Sequence, residues 1–302
     1  MRSINIISQD NEELPYISTV IDYFELMKPK VMSLVIFTTV VGMYLAPNHL
    51  HPVLALVSII AIALGAGSAG AINQWIDQDV DSLMSRTKER PIPSGRVDPA
   101  EAITFSLVTG LISIILLGLA SNWLAASLLF FTIFFYSIIY SILLKRRTPQ
   151  NIVIGGAAGS LPPVIGWVSM TGDISLFPVL MFMIIFFWTP PHFWALALVK
   201  SEDYKRARIP MMPNVVGKLS TKKQIIFYSI LVLLFSISPY FLGFAGLVYI
   251  SSTLIMSIIF VILSIGLIVL PNKKLEIPLF VYSIFYLFGV FIFLVFDKYF
   301  FG

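Results

Sequence analysis

Apolar positions gather into nine long runs, near residues 30–47, 52–72, 101–120, 122–144, 151–171, 174–198, 224–243, 245–270 and 277–296. As a helix rising 1.5 Å per residue, each run is long enough to cross about 30 Å of hydrocarbon. The pattern predicts an all-α polytopic membrane protein, a bundle of nine transmembrane helices. The fifth run is interrupted by Gly155, Gly156, Gly159, Pro162 and Pro163. Such residues are tolerated at membrane depth when neighbours satisfy the freed backbone groups. Small residues also let helices approach closely, so helix contact is the first expectation here and a cavity wall the second. Composition agrees. Of 302 residues, 58% are hydrophobic and 12% charged, against about 25% charged in soluble domains. A disordered chain and a coiled-coil or collagen-like fibre are excluded. The chain has no Cys, hence no disulfide framework, no Cys-ligated metal and no thiol nucleophile.

The basic residues fix an orientation on this pattern. With nine spans, 19 of the 20 Lys and Arg fall on one side and only Lys298 on the other. The positive-inside rule makes the crowded side cytoplasmic, with the N-terminus inside and the C-terminus outside. The expected location is the cell (inner or plasma) membrane. The net charge of +4 then reflects topology and anionic headgroups rather than nucleic acid. Residues 1–29 read as a cytoplasmic N-terminal segment and 30–299 as a single intramembrane domain. Five acids among residues 1–26 (Asp10, Glu12, Glu13, Asp22 and Glu25) argue against a signal peptide. The stretch from Ile17 to Met27 suits a short interfacial helix leading to Lys28-Pro29-Lys30.

Polar chemistry concentrates in two cytoplasmic stretches, 73–98 and 199–223, following the second and sixth spans. In the first, Asn73, Asp77 and Asp81 recur every four residues, so on a helix they share one face, while Asp79 points elsewhere. Stacked carboxylates repel each other, and burial at a helix end raises their pKa unless a cation is present. A divalent metal resolves both problems. Carboxylate and amide oxygens suit Mg²⁺, which binds one or two carboxylates plus substrate phosphates. Arg86, Arg90 and Arg96 follow at once, and guanidinium forks match phosphate oxygens. Acids for metal beside bases for phosphate predict a diphosphate site, against a plain solvated charged loop. The second stretch holds Lys200, Glu202, Asp203, Tyr204, Lys205, Arg206 and Arg208, with Pro210 and Pro213 stiffening the loop beyond.

The Asn73-x3-Asp77-x3-Asp81 pattern, with a second charged stretch after helix six, resembles the intramembrane prenyltransferases of the UbiA superfamily. Within it, further matches favour the branch that acts on haem. They are Arg86-Thr87-x2-Arg90-Pro91, Lys145-Arg146-x-Thr148-x2-Asn151-Ile-x2-Gly155-Gly156, Pro190-Pro191-His192-Phe193-Trp194, and Asp203-Tyr204-x4-Ile209-Pro210-Met211-x-Pro213. The resemblance covers roughly residues 23–295. Two departures stand out. Members acting on other acceptors usually carry further acids where Lys200 and Tyr204 align. Arg208 stands before Ile209, where the family pattern has Gly.

The resemblance implies a nine-helix UbiA-like bundle with cytoplasmic active-site loops. It implies transfer of the farnesyl group of farnesyl diphosphate to a vinyl group of haem B, giving haem O, with Mg²⁺ as cofactor. Asn73, Asp77 and Asp81 would hold the metal, with Asp203 completing or orienting its shell. Arg86, Arg90 and Lys200 would neutralise the diphosphate. Lys145, Arg146, Arg206, Tyr204 and His192 are the candidate haem contacts, His192 as the one His within a long span. An axial iron ligand is one role open to His192; another acceptor contact and a hydrogen-bonded helix residue are the others. Trp75, Tyr136, Tyr140, Phe193 and Trp194 offer faces to a carbocation. The pathway implies hand-over to a haem A synthase. The alternatives are a UbiA-type enzyme acting on a quinone-precursor or chlorin ring, and a cation-coupled transporter, which would show internal repeats and charges at several depths.

Overall fold

Proline at the first helical position and an acceptor side chain just before it open several of the long helices, since the N–H that Pro lacks has no intrahelical partner there. His51 accepts from the Val53 N–H and Asp98 from Ala100, while Asn122 caps a helix that opens on Trp123 by accepting from Ala125. The computed structural model describes residues 18–301, and among them there are helices and no strands. In chain order these are α1 (Val20–Leu26), α2 (Pro29–Leu45), α3 (Pro52–Ile76), α4 (Gln78–Leu83), α5 (Pro99–Ala120) and α6 (Trp123–Phe134). α6 continues as a π-helix over Phe135–Leu144. Then come α7 (Asn151–Ser160), α8 (Pro162–Thr171), α9 (Leu176–Val199), α10 (Ser201–Arg206) and α11 (Met212–Val215). The last three are α12 (Lys218–Phe241), α13 (Leu247–Val269) and α14 (Glu276–Phe301).

Eight of these spans are long and apolar enough to cross a membrane, and α2 makes the ninth when joined to α1 across a 60° bend. The protein is a multi-pass membrane bundle. The expected N-terminal helix is present as α1, with Thr19 and Asp22 capping each other's backbone; Ile17 lies outside the described residues. α6 and its π continuation form one span. α7 and α8 form another, passing through Leu161 in ordinary right-handed geometry (φ −75°).

Gly155 and Gly156 of that broken span serve helix contact, against Tyr140 and Thr189, whereas a Cβ on Gly159 would meet open space. A Cβ on Gly166 would fall 2.2 Å from the Thr39 carbonyl oxygen, and one on Gly42 2.1 Å from the Pro163 oxygen. α2 and α8 therefore touch backbone to backbone, where neither side can yield. Gly42→Ala is expected to cost about 1–3 kcal/mol, roughly 3–10 °C in Tm. Thermal unfolding in detergent measures this, and an unchanged Tm would deny the close approach.

The two ends of the bundle differ. At one end Asp297 accepts from the N–H groups of Gly246 and Tyr249, capping α13, and Lys298 donates to the carbonyls of Tyr44 and Ala46 (3.0 and 3.2 Å), closing α2. Each charge complements a helix dipole. At the other end meet the segments around 28, 73–96, 144–150 and 200–213.

Candidate active site

α3 stops at Ile76, and Asp77 breaks the helix (φ −96°, ψ 8°) before α4 begins. The uninterrupted helix expected across Asn73, Asp77 and Asp81 is thus absent. The four-residue spacing survives the break, because the Asp77 N–H reaches the Asn73 carbonyl (3.0 Å) and the Asp81 N–H the Asp77 carbonyl (2.7 Å). All three side chains are buried. Asn73 Nδ2 donates to Asp77 Oδ2 (2.7 Å) and to Ser141 Oγ (2.9 Å).

Cations converge on this row. Lys145 Nζ lies 2.5 Å from Asp77 Oδ2, Arg90 Nη1 2.5 Å from Asp81 Oδ2 and Lys28 Nζ 2.5 Å from Asn73 Oδ1. Arg146 grips the exposed Asp79 with both guanidinium arms (2.8 and 2.6 Å) and reaches Asp77 Oδ1 at 3.7 Å. Asp79 therefore points away from the buried row, and Arg146 holds its carboxyl below the usual range. Asp203 accepts from Ser85 Oγ (2.7 Å), which ties the second polar stretch to the first. Arg86 lies beside the Tyr204 phenol. Burial raises the Tyr204 pKa, and Arg86 opposes that shift.

Sequence reasoning missed Lys28 as part of this site. It lies in the bend between α1 and α2 with left-handed backbone (φ 56°). Its Nζ also stands 5.9 Å above the Tyr136 ring. One signal was available: a residue before Pro is steered out of the right-handed helical region, so Lys28-Pro29 marks a bend with a cation at its vertex. The second omission is Ser141. Here the Lys145 N–H reaches back five residues to the Tyr140 carbonyl (2.8 Å), and Ser141 Oγ bonds the Tyr136 carbonyl. This wider winding accompanies Ser141 and Lys145 at Asn73 and Asp77, and π segments are common at functional sites. Periodicity gave no sign of it.

Lys28 and Arg208 are the two non-glycine residues with positive φ among the described residues, and both border the site. Arg208 (φ 54°) follows α10 in a complete Schellman turn. The Arg208 N–H reaches the Lys205 carbonyl (3.1 Å) and the Ile209 N–H the Tyr204 carbonyl (2.9 Å). The turn thus needs a left-handed residue, a conformation Gly takes without steric cost, and Arg adopts it at a cost of about 1–2 kcal/mol. Arg208→Gly is expected to stabilise by about 0.5–1 kcal/mol, the strain relief less glycine's larger unfolded entropy. A rise in Tm with unchanged transfer rate is the expected result.

Other candidates lie outside the buried row. Lys200 and Arg206 are exposed, and Arg206 stands 3.8 Å from Asp203. Among the described residues no group of three acidic or His side chains is gathered closely enough to hold a metal ion, so Asp203 is not clustered with Asp77 and Asp81. His192 contacts none of these groups; its partners are on α9 and α14. Tyr136 and Tyr140 stack 5.3 Å apart above the row. Trp194 is enclosed in the core.

The donors present fit Mg²⁺. Asp77 Oδ1 is a buried carboxylate oxygen without a hydrogen bond, and Asp81 and the Asn73 amide add hard oxygens beside it. Two carboxylates leave room for substrate phosphates.

This chain is a membrane prenyltransferase of the UbiA prenyltransferase family, which matches residues 35–294. Solved structures share its fold. A digeranylgeranylglyceryl phosphate synthase aligns over 92% of this chain and 98% of its own (TM-score 0.77, 19% identity). A UbiA homologue from Archaeoglobus fulgidus bound to DMAPP and Mg²⁺ aligns over 90% and 99% (TM-score 0.62, 17% identity). More specifically, the chain is 52% identical over 281 residues to the protoheme IX farnesyltransferase of Rhizobium rhizogenes, covering 92% of this chain and 88% of that one. To the enzyme of that name from Brucella ovis it is 50% identical over 284 residues (93% and 91%).

Proposed function

We propose that the protein transfers the farnesyl group of farnesyl diphosphate to a vinyl group of haem B, giving haem O. About half of all residues are shared, over nearly the whole length, with proteins named for this reaction. The observation that carries the reading to chemistry is the buried row Asn73, Asp77 and Asp81, faced by Lys28, Lys145 and Arg90. In our reading one intramembrane domain, 30–299, does the work, with this row at the cytoplasmic face of the cell membrane.

Breaking the C–O bond of the diphosphate develops negative charge on the departing oxygens, and preorganised donors stabilise it. Asn73, Asp77 and Asp81 would hold Mg²⁺, which supplies charge neutralisation to the diphosphate. Arg86, Arg90 and Lys200 would meet its outer oxygens, and Asp203 holds the turn after α4 through Ser85. The faces of Tyr136 and Tyr140 shelter the allylic cation. The vinyl group forms the new C–C bond, and water adds to the resulting cation with loss of a proton, leaving the hydroxyethylfarnesyl arm. Lys145, Arg146, Arg206 and Tyr204 are the candidate partners for the polar edge of the acceptor. Its hydrophobic product would pass to a haem A synthase.

Purified protein in lipid nanodiscs, given farnesyl diphosphate, Mg²⁺ and either haem B or 4-hydroxybenzoate, tests the assignment by mass spectrometry. Haem O from haem alone is the expected outcome, abolished by EDTA and restored by Mg²⁺. Prenylation of the phenolic ring would transfer the assignment to the quinone branch, and turnover of neither would overturn it.

A further inference from the structure

Arg96 ends the run that also supplies Arg86 and Arg90, yet its guanidinium serves a different element. Nη1 lies 2.5 Å from Asp22 Oδ1 and Nη2 2.7 Å from Glu25 Oε2, both acids being on α1. Nη2 also donates to the Glu89 carbonyl (2.9 Å), and Nε to Ser94 Oγ (3.2 Å). One planar fork thus joins α1 to the 87–97 turn, a task that suits a guanidinium better than an ammonium. Asp22 is buried, so this is no pairing on a solvated face.

The two sides of this contact differ in what else holds them. The turn braces itself: Thr87 Oγ1 donates to the Asp81 carbonyl (2.9 Å), and the N–H groups of Arg90, Ser94 and Val97 reach the carbonyls of Thr87, Arg90 and Pro91 (3.0, 3.0 and 3.1 Å). α1 has seven residues, too few to hold a helix alone, and its Val20, Ile21 and Phe24 are exposed. Its inner side rests on a small apolar cluster apart from the main core, where Leu26 joins Ala71, Ile92, Val97 and Ala102. Gln74 Nε2 donates to the Leu26 carbonyl (2.8 Å). Two residues on comes Lys28, in a left-handed backbone that a residue with a Cβ keeps only under outside constraint. Its contact, Asn73, neighbours Gln74, so α1 and the buried row share one end of α3.

We propose that Arg96 is a positioning residue: by clamping Asp22 and Glu25 to the braced turn it fixes α1, and so sets the Lys28 ammonium against Asn73. Arg96 acts through Lys28, whereas Arg86 and Arg90 meet the substrate. The proposal rests on the reading of the buried row as the diphosphate site.

The chain has no Cys, so spin labels can be set on the full-length protein at Val20→Cys of α1 and Leu119→Cys at the far end of α5. Both positions are exposed, and the rise of α5 puts them about 30 Å apart. Pulsed EPR in nanodiscs without substrate should give a narrow distance distribution in the wild type and in Lys28→Met, and one about twofold broader in Arg96→Ala. In transfer assays Arg96→Ala should lower kcat about tenfold and raise the Mg²⁺ concentration for half-maximal rate, with KM for farnesyl diphosphate unchanged. Arg96→Lys should recover part of both. Added to Lys28→Met, Arg96→Ala should cost less than about twofold more, because its route is already cut. Losses that multiply in the double variant, or a loss confined to KM, overturn the proposal and mark a direct phosphate contact. A wild-type distance distribution in Arg96→Ala overturns it as well. Should Arg96→Ala fail to insert, Glu25→Gln, which weakens one of the two contacts to α1, is expected to show the same pattern at about threefold. The distances need no turnover, so the two readings separate: full rate in Asp77→Ala removes the diphosphate reading whatever α1 does, whereas an undisturbed α1 in Arg96→Ala removes the clamp alone.

Discussion

Asp77→Ala is expected to lower farnesyl transfer by about 10³-fold or more, equivalent to roughly 4 kcal/mol of transition-state stabilisation. Asp77 is fully buried, offers an enclosed carboxylate oxygen without a hydrogen bond, and neutralises Lys145. Its removal takes away a metal donor and leaves a buried ammonium unpaired. Asp77→Asn, which keeps the shape and an acceptor oxygen for Asn73 and Lys145 but not the charge, should insert and unfold closer to the wild type than Asp77→Ala does while transfer remains lost. Asp81→Ala should behave as Asp77→Ala does. Asp79→Ala should stay within about fivefold of the wild type, because that side chain is exposed and serves only Arg146. Initial rates of haem O formation across a Mg²⁺ titration provide the measurement. Equal losses at 77, 79 and 81 would contradict the assignment of a buried row.

The second large effect is expected at Lys28. Lys28→Met should reduce transfer by about 10²-fold, in the range found when one charge-stabilising donor is removed from an active site. The methionine keeps the buried stem, so the loss comes from the charge and the Asn73 contact. Asn73 then loses the contact that fixes its Oδ1 and is held only through its Nδ2, by Asp77 and Ser141. The Mg²⁺ concentration for half-maximal rate should therefore rise along with the fall in kcat, and Lys28→Arg should recover part of both. A Lys28→Met protein with wild-type rate and Mg²⁺ dependence would remove Lys28 from the site.

How much of this was readable in advance depended on the length scale of the cause. The hydrophobic runs located all nine spans to within a few residues at most ends, because burial of apolar helix in hydrocarbon is a property of each segment alone. Close helix contact at the broken span was partly readable from Gly155 and Gly156, which pack against Tyr140 and Thr189; the α2–α8 contact through Gly42 and Gly166 was not. The row Asn73, Asp77 and Asp81 was readable because its spacing matches one helical repeat. The helix break at Asp77 was not, yet the hydrogen bonds through it kept the spacing that the straight-helix argument used. Arg208 shows the reverse case. The sequence marked an anomalous residue, and only the backbone showed that the turn demands positive φ there and that Arg accepts it.

The chain's own order of residues decided its class, its spans, the side on which charge accumulates and the identity of the acids, because each depends on local hydrophobicity and on repeat spacing. Which cation meets which acid was decided by the tertiary structure alone. Lys28 reaches Asn73 across 45 positions, and Lys145 reaches Asp77 across 68. Such pairings are set by how the helices cross and by the π-helical winding before Lys145. Crossing and winding follow from packing between distant segments, which no stretch of sequence carries by itself.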